Sequence, residues 1–260
     1  MTRSGKTPGA GAGPGKKKGG PASKTANIGG ARQLTVRVKT ANKRKISSTR
    51  WLQRQLNDPY VAAAKRDGYR SRAAYKLLQM HEQHKLFKPG MKVVDLGAAP
   101  GGWAQVVSRL VKAGGSQRGQ VIGIDITAMD PVAHVELLHL DFMDDAAPDQ
   151  LKAALRGENA DAVLSDMAAP STGHKQTDHL RIMVLCEAAA QFASDVLTPG
   201  GFFLAKVLQG GTERALLDAL KRDYAAVRHI KPEASRQDSA EAYVLATGFR
   251  GGAAARHPAD

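Results

Sequence analysis

Short apolar segments alternate with amphipathic ones from residue 91 to residue 249. Apolar runs of about four to eight residues, bounded by Gly, Pro or Asp, are typical of strands buried on both faces of a sheet. Apolar residues three and four positions apart are typical of helices that bury one face. The predicted strands are MKVVDLG, GQVIGIDI, VELLHLDF, ADAVLSDM, GFFLAKVL, AVRHIKP and EAYVLATGF. The predicted helices between them are GGWAQVVSRLV, APDQLKAALRG, HLRIMVLCEAAAQFASDVL and TERALLDALKRDY.

The order of these segments predicts an α/β fold. Strands that alternate with helices form a mostly parallel sheet with helices on both faces. The last two predicted strands have no helix between them, so we expect them to pair as a hairpin. A hairpin places one antiparallel strand in an otherwise parallel sheet.

The two ends of the chain differ in composition from this alternating region. Residues 1–45 contain Gly, Pro, Lys, Ser and Ala with few large apolar residues, which predicts a disordered tail. Within it, QLTVRVKT (Gln33–Thr40) is a weak candidate strand. We expect one catalytic domain over residues 46–250, which includes an early helix in YRSRAAYKLLQMHEQHKLF, and a flexible segment over residues 251–260.

The charge of the chain is concentrated near its beginning. The formal net charge is +14, and residues 1–50 hold 13 Lys and Arg with no Asp or Glu. A basic tail beside a nearly neutral domain predicts a polyanionic partner, most simply a nucleic acid. The tail is too rich in Gly and Pro to form the amphipathic helix of a mitochondrial presequence. The single cysteine, Cys186, and the lack of a long apolar run favour a cytoplasmic protein without a membrane contact.

A glycine-rich turn lies between the first strand and the helix after it, within VVDLGAAPGGWAQ (Val93–Gln105). Such a turn lets a ligand approach the backbone at a helix N-terminus. It matches neither the dinucleotide pattern G-x-G-x-x-G nor a phosphate-binding loop with Lys-Ser/Thr. Asp125 ends the second strand, where it could bind ribose hydroxyls, and Asp141 ends the third, where it could meet an adenine edge. This series predicts a nucleoside cofactor without phosphates, and S-adenosylmethionine fits.

Four charged residues are expected to meet at the same edge of the sheet. Asp166 ends the strand AVLSDM and Lys206 lies in GFFLAKVL, on a face otherwise formed by apolar residues. Glu241 begins the last strand, whose amino end reaches this edge if the strand is antiparallel. Lys76 borders the apolar face of the early helix. Each residue alone is explained by an ordinary solvated or capping role, but together they predict a reactive site beside the cofactor.

The segments DLGAAPGGW, SDMAAPSTG, LAKVLQG, EAYVLATG and SRAAYKL resemble, in this order, the FtsJ-type (RlmE) ribosomal RNA 2′-O-methyltransferases. The resemblance covers roughly residues 50–250. It implies a Rossmann-like methyltransferase fold with seven strands and S-adenosylmethionine as the cofactor. It also implies a uridine ribose of large-subunit rRNA as the substrate, in a nearly assembled subunit. By this resemblance the catalytic residues are Lys76, Asp166, Lys206 and Glu241, and the cofactor contacts are Gly101, Trp103, Asp125, Asp141 and Asp166.

The reaction implied by the resemblance moves a methyl group from a sulfonium to a ribose 2′-hydroxyl. The protein must position both groups and manage one proton. Burial and a second nearby ammonium both make a lysine a better base, whereas a carboxylate favours its charged form. We therefore expect Lys206 to accept the proton or orient the hydroxyl, with Lys76 and Glu241 positioning the ribose. We expect no metal, because the eight histidines are scattered along the sequence.

Several alternatives remain open from the sequence. A 2′-O-methyltransferase acting on tRNA or on an mRNA cap would use the same motifs. A non-catalytic ribosome-assembly factor would be expected to lack at least one of the four charged residues, and all four are present. A nicotinamide-dependent oxidoreductase would need a G-x-G-x-x-G turn, which this chain lacks between its first strand and helix. We expect the protein to act as a monomer on ribosomal RNA.

Overall fold

The computed structural model of the protein describes residues 46–170, 172–208 and 214–251, together with Met1 and Arg37. The predicted tail over residues 1–45, with its candidate strand, lies outside the described residues apart from those two positions. The predicted C-terminal segment lies outside them beyond residue 251. The proposed domain boundaries therefore stay predictions.

Three helices precede the sheet: α1 (Ile46–Leu56), α2 (Pro59–Asp67) and α3 (Ala73–His84). Asp58 begins α2, because its carboxylate accepts a hydrogen bond from the backbone N–H of Tyr60 at 3.0 Å. Gly68 ends the same helix in the left-handed conformation that glycine adopts without strain. The predicted early helix is confirmed, but it is shorter than the pattern suggested, because Lys85 ends it with a positive φ.

The remaining elements form one seven-stranded sheet with helices between its strands, as the sequence predicted. The strands are β1 (Lys92–Leu96), β2 (Gln120–Asp125), β3 (Glu136–His139), β4 (Ala160–Ser165), β5 (Leu197–Leu208), β6 (Tyr224–Ile230) and β7 (Glu241–Phe249). The helices are α4 (Gly102–Leu110), α5 (Ala147–Ala154), α6 (Lys175–Val196) and α7 (Arg214–Asp223). The strand order is β3-β2-β1-β4-β5-β7-β6.

Strands β1 to β5 pair in parallel, and β7 inserts antiparallel between β5 and β6. The predicted hairpin of the last two strands and its antiparallel member are thus confirmed. The chain leaves β1 toward β2 and β3, then crosses to β4 on the other side. Ligands of open α/β sheets bind where the strand order reverses in this way, at the carboxyl ends of the strands.

Two apolar clusters cover the two faces of the sheet. Helices α3 and α4 pack on one face, against residues that include Phe202 and Leu204 of β5. Helices α5, α6 and α7 pack on the other, against Phe203 and Val207. This alternation along β5 is the expected period of two, and Lys206 continues the face that carries Phe202 and Leu204.

Some boundaries differ from the predicted ones. The sixth helix begins at Lys175, four residues before the predicted start, because the His174 side chain accepts a hydrogen bond from the backbone N–H of Thr177. Strand β3 ends at His139, so Asp141 lies in the connection after it rather than at its last position. Among the described residues, no helix combines the length and apolar character that a bilayer crossing requires.

Candidate active site

The four predicted catalytic residues come together at the carboxyl edge of the sheet. Asp166 directly follows β4, and Lys206 lies near the end of β5. Glu241 is the first residue of β7, and the antiparallel register places it opposite Leu208 at the end of β5. Lys76 reaches the same point from α3, where the residue is buried despite its charge. Four separate elements therefore position one cluster.

The cluster consists of two ion pairs. Lys206 Nζ lies 2.9 Å from Asp166 Oδ1 and donates a hydrogen bond to the backbone oxygen of the same residue at 2.8 Å. Lys76 Nζ lies 2.6 Å from Glu241 Oε1. The lysine side chains are 11% exposed and the carboxylate side chains 18% exposed, so each charge is largely removed from water but compensated. Such pairs hold their amines in fixed positions, which reaction geometry requires.

Tyr243 joins the two ion pairs, and the sequence did not identify it. Its hydroxyl donates to Asp166 Oδ1 at 2.8 Å, accepts from Lys76 Nζ at 3.3 Å, and lies 3.2 Å from Glu241 Oε1. Burial raises the pKa of Tyr243 well above its ordinary value, and the carboxylates of Asp166 and Glu241 raise it further. The hydroxyl therefore stays protonated. The sequence did contain a signal for this residue, since Tyr243 follows Glu241 by two positions and therefore lies on the same face of the strand.

Glu241 stays ionised within this cluster. Burial alone would raise the pKa of its carboxyl, but the ammonium groups of Lys76 and Lys206 outweigh burial, so the pKa lies below its ordinary value. The Ser235 hydroxyl also donates to Glu241 Oε1 at 2.9 Å. The carboxylate is thus a fixed anion that holds Lys76.

Gly101 and Trp103, both predicted cofactor contacts, lie where α4 begins. The Trp103 indole N–H donates to the backbone oxygen of Ala73 at 2.9 Å, and its ring lies 5.6 Å from the ring of Tyr243. Gly101 has a φ of +102°, and a side chain there would meet Arg70 at 3.0 Å. Neither residue lines the cavity that carries Asp125, Asp141 and Asp166, so their role as cofactor contacts stays a prediction.

A cavity of about 700 Å³ lies beside the cluster, at the carboxyl ends of β1, β2 and β4. Three of the predicted cofactor residues line it, namely Asp125, Asp141 and Asp166. The other lining residues are mostly apolar and include Ile124, Ile126, Phe142, Met143, Leu180, Val184 and Leu185. A largely apolar cavity with a few fixed polar groups is the usual form of a small-molecule site.

The carboxylates of the cavity are held in place by the backbone. Asp125 accepts hydrogen bonds from the N–H groups of Ala99 at 2.9 Å and Thr127 at 2.7 Å. Asp141 accepts one from the N–H of Met143 at 2.9 Å. A carboxylate offers about four acceptor positions, so each can still bind a hydroxyl or an amine.

Gly97 makes the turn after β1 possible. Its φ is +77°, and a Cβ atom there would lie 2.8 Å from the Met167 side chain and 2.9 Å from the Met167 backbone. Only glycine fits this close approach between the ends of β1 and β4. The glycine of the predicted ligand turn thus has a structural reason of its own, besides lining the cavity.

Asp95 is a second residue that the sequence did not identify. It lies within β1, is fully buried, and neither of its carboxyl oxygens has a hydrogen-bond partner. Burial raises the pKa of Asp95 to about 8, and the charges of Asp166 and Asp125 contribute to the rise. Burial thus favours the neutral carboxylic acid at Asp95.

These observations fit S-adenosylmethionine. Its adenosine offers an apolar base and two ribose hydroxyls, which suit the apolar lining and the carboxylate of Asp125. Its methionyl end is cationic at the sulfur, which suits a cavity that carries Asp125, Asp141 and Asp166 with a single arginine, Arg181. Cofactors with phosphates would be repelled by the same carboxylates.

The mixed sheet with antiparallel β7, the glycine turn and the acid-lined cavity define a Rossmann-like, S-adenosylmethionine-dependent methyltransferase. The sequence model of the FtsJ-like methyltransferase family matches residues 69–249. The chain belongs to this family.

Curated relatives are similar over nearly the whole chain. One from Parvibaculum lavamentivorans is 61% identical over 257 residues, which is 96% of each chain. Another from Paramagnetospirillum magneticum is 61% identical over 241 residues, which is 91% of this chain and 97% of the relative. Both carry the name ribosomal RNA large subunit methyltransferase E.

A solved structure supports the same family. The chain resembles a crystal structure from Plasmodium falciparum, described as a ribosomal RNA methyltransferase, with 30% identity and a TM-score of 0.63. The match covers 70% of this chain and all of the other. The predicted family resemblance, fold and cofactor are thereby confirmed.

Proposed function

We propose that this protein transfers the methyl group of S-adenosylmethionine to the 2′-hydroxyl of a uridine ribose in the RNA of the large ribosomal subunit. The names of the relatives support the ribosomal substrate. The observation that carries the proposal is the convergence of Lys76, Asp166, Lys206 and Glu241 beside the acid-lined cavity. A methyl donor and a hydroxyl could meet there.

The cofactor, when bound, supplies an activated methyl group on a positively charged sulfur. Asp125 and Asp141 would hold its adenosine end, and Asp166 lies at the boundary between cofactor and substrate. Gly101 and Trp103 would contribute to cofactor binding through the start of α4. The first backbone N–H groups of a helix have no partner within the helix. The task left to the protein is to align the hydroxyl and remove its proton.

Lys206 is proposed as the group that accepts this proton, in its neutral amine form, after the ion-paired ammonium has released a proton to water. Its amine is fixed at the carboxyl edge of the sheet by two contacts to Asp166. Asp166 aims the amine, and Tyr243 in turn fixes Asp166. Lys76, held by Glu241, would position the ribose. Each charge of the cluster then has a defined task.

Replacement of Lys206 tests this assignment. We expect Lys206→Ala to abolish methylation of large-subunit rRNA, measured from primer-extension stops at low nucleotide concentration. Lys221→Ala, an exposed lysine at the end of α7, is the matched control and should methylate normally. Near-normal methylation by Lys206→Ala would show that Lys206 does not carry the reaction.

The class of RNA is tested in cells. Maps of 2′-O-methylation across rRNA and tRNA, from cells with and without the gene, should differ at a uridine of the large-subunit RNA. A difference confined to tRNA would contradict the ribosomal substrate.

The basic tail is proposed to strengthen RNA binding. Residues 1–50 hold 13 Lys and Arg without an acid, so they would contact phosphates without reading bases. Deletion of residues 1–45 should reduce the slope of log affinity against log salt, and an unchanged slope would reject this role.

We further propose that the protein is cytoplasmic and that it acts as a monomer. Equilibrium sedimentation of the protein would test the monomeric state.

A further inference from the structure

A second cavity adjoins the catalytic cluster on the side away from the cofactor residues. Its volume is about 390 Å³, and Lys76 and Glu241 form part of its wall. The rest comes from α1, from the start of α3 and from the connection between β6 and β7. These lining residues are polar or charged, namely Arg54, Gln55, Arg72, Arg236, Asp238 and Ser239. Three arginines thus surround a space that opens next to the reactive groups.

Two of these arginines share one carboxylate. Arg72 Nη1 lies 3.0 Å from Asp58 Oδ2, and Arg236 Nη2 lies 3.3 Å from the same oxygen. The other oxygen of Asp58 already accepts from the backbone N–H of Tyr60. The carboxylate, with a side chain only 6% exposed, can neutralise one guanidinium but not both.

Of the two arginines, Arg72 forms the stronger ion pair with Asp58. Besides its closer contact with Asp58, it donates to the backbone oxygen of Ala234. Burial lowers the pKa of Arg72, Asp58 raises it, and the neighbouring charge of Arg236 lowers it again. The two positively charged guanidinium groups therefore repel each other. Arg236, with a side chain 28% exposed and longer contacts, is left with an uncompensated charge facing the cavity.

The third arginine is free to take a new partner. Arg54 approaches Asp238 only at 4.0 Å, and both side chains are more than half exposed, so this contact holds the arginine weakly. Around the cavity, the positive groups are Arg54, Arg72, Lys76 and Arg236, and the negative groups are Asp58, Asp238 and Glu241. The residues of the cavity wall, counted together with Asp58, thus carry one excess positive charge. One singly charged anion would balance it.

We infer that this cavity binds a backbone phosphodiester of the substrate RNA, adjoining the ribose that is methylated, through Arg236 and Arg54. The inference rests on the proposed function. A phosphodiester carries a single negative charge, and guanidinium groups bind its oxygens in a planar, paired geometry. In RNA the 2′-hydroxyl neighbours the carbon that bears the 3′-phosphate. A ribose presented to Lys206 and Lys76 therefore brings a phosphate close to the other side of Lys76, where the cavity lies.

The cavity also gives the RNA a direction across the protein. Its outer wall is α1, and the basic tail over residues 1–45 directly precedes this helix in the chain. A strand that leaves the cluster through the cavity would pass along α1, the helix that follows the most basic part of the sequence. Asp58 acts as a positioning residue in this arrangement, because its carboxylate holds both Arg72 and Arg236 at the cavity wall.

The test uses full-length variants Arg236→Gln and Arg54→Gln, with Arg214→Gln as the matched control. Arg214 is an exposed arginine of α7, which packs on the opposite face of the sheet. Binding is measured to unmodified large subunits and to a protein-free fragment of large-subunit rRNA at several KCl concentrations. We expect each test variant to bind about five- to tenfold more weakly, with the slope of log affinity against log salt reduced by about 0.7–0.9. Cofactor affinity should not change.

Thermal unfolding separates a binding role from a structural one. Removing Arg236 relieves the repulsion with Arg72, so the melting temperature of Arg236→Gln should stay the same or rise while RNA binding falls. A variant that melts earlier, or salt slopes equal to those of the wild type and of Arg214→Gln, would overturn the inference. Weaker binding to whole subunits but not to protein-free RNA would also overturn it, in favour of an acidic protein partner. Wild-type protein that neither binds nor methylates large-subunit RNA would overturn the proposed function as well.

Discussion

The hydroxyl of Tyr243 lies 2.8 Å from Oδ1 of Asp166, the same oxygen that pairs with Lys206. It also accepts a hydrogen bond from Lys76, whose partner is Glu241. One neutral group thus connects both ion pairs, and its single proton is directed to the carboxylate that aims Lys206. Tyr243 is a positioning residue for the proposed reaction.

Tyr243→Phe should lower kcat while leaving cofactor affinity unchanged. Phenylalanine keeps the ring that packs against Trp103 and removes the hydrogen bond to a charged group, which contributes about 1.5–3 kcal/mol. We expect kcat to fall about 10- to 100-fold in a methyl-transfer assay with large subunits. Tyr224→Phe is the matched control, because the buried hydroxyl of Tyr224 has no hydrogen-bond partner. Equal kcat values in the two variants would contradict the role of Tyr243.

The pair of Lys76 and Glu241 should show strong coupling in stability. Removing one partner leaves the other charge largely buried, so Lys76→Met and Glu241→Gln should each cost up to about 3–5 kcal/mol. The double variant should recover about 1–3 kcal/mol of the summed loss, measured by urea unfolding. The exposed pair of Arg214 and Asp218, in a parallel cycle, should give a coupling close to zero. Additive losses at Lys76 and Glu241 would show that the pair contributes no net stability.

Asp95 should make the protein less stable as pH rises from about 4 to about 8. The ordinary pKa of this carboxyl is 3.8, and burial raises it to about 8 in the folded protein. In this window the folded chain holds a proton that the unfolded chain has lost, so the free energy of unfolding falls with pH. Above the window the penalty is constant. From pH 4 to pH 7 the loss is on the order of 4 kcal/mol.

Asp95→Asn tests this pH dependence, because the amide does not titrate. Urea unfolding between pH 5 and pH 8 should show the variant gaining stability relative to the wild type as pH rises. Asp149→Asn, at an exposed position in α5, is the control and should follow the wild-type profile. Parallel profiles for the wild type and Asp95→Asn would mean that Asp95 is ionised in the folded protein.

Gly97→Ala should be more harmful than the same change at Gly157. Both glycines have a similar positive φ, but a Cβ at Gly157 meets nothing within 4 Å, whereas at Gly97 it would meet the Met167 backbone. Gly157→Ala should therefore cost about 1 kcal/mol, from the backbone conformation alone. Gly97→Ala should cost about 1–3 kcal/mol more, from overpacking, in urea unfolding.

Cofactor binding gives a second measurement on these glycine variants. Gly97 lines the acid-lined cavity, so Gly97→Ala should also weaken the binding of S-adenosylmethionine, measured by calorimetry. Gly157→Ala should bind the cofactor like the wild type. Equal losses of stability in the two variants would show that the close approach to Met167 is easily relieved.

The sequence by itself determined the elements and the edge where the site lies. Apolar runs and amphipathic stretches record which faces are buried, and Gly and Pro record where the chain turns, so strands and helices follow from local patterns. The absence of a helix between the last two strands predicted an antiparallel last strand, whose amino end, with Glu241, lies at the carboxyl edge of the sheet. Residues at strand ends, such as Asp166, can be assigned to the carboxyl edge of the sheet because parallel strands share it.

Only the tertiary structure decided which groups meet. Periodicity shows on which face of a strand a side chain lies, but not which residue of another element it meets. The hydrogen bond from Tyr243 to Asp166, 77 positions apart, could therefore not be predicted from the sequence. The burial of Asp95 without a hydrogen-bond partner depends on what packs above β1. Asp58 and Arg236 are 178 positions apart and meet because α2 packs near the end of the sheet. Hydrogen bonds and charges act over a few ångströms in space, and the fold alone sets those distances.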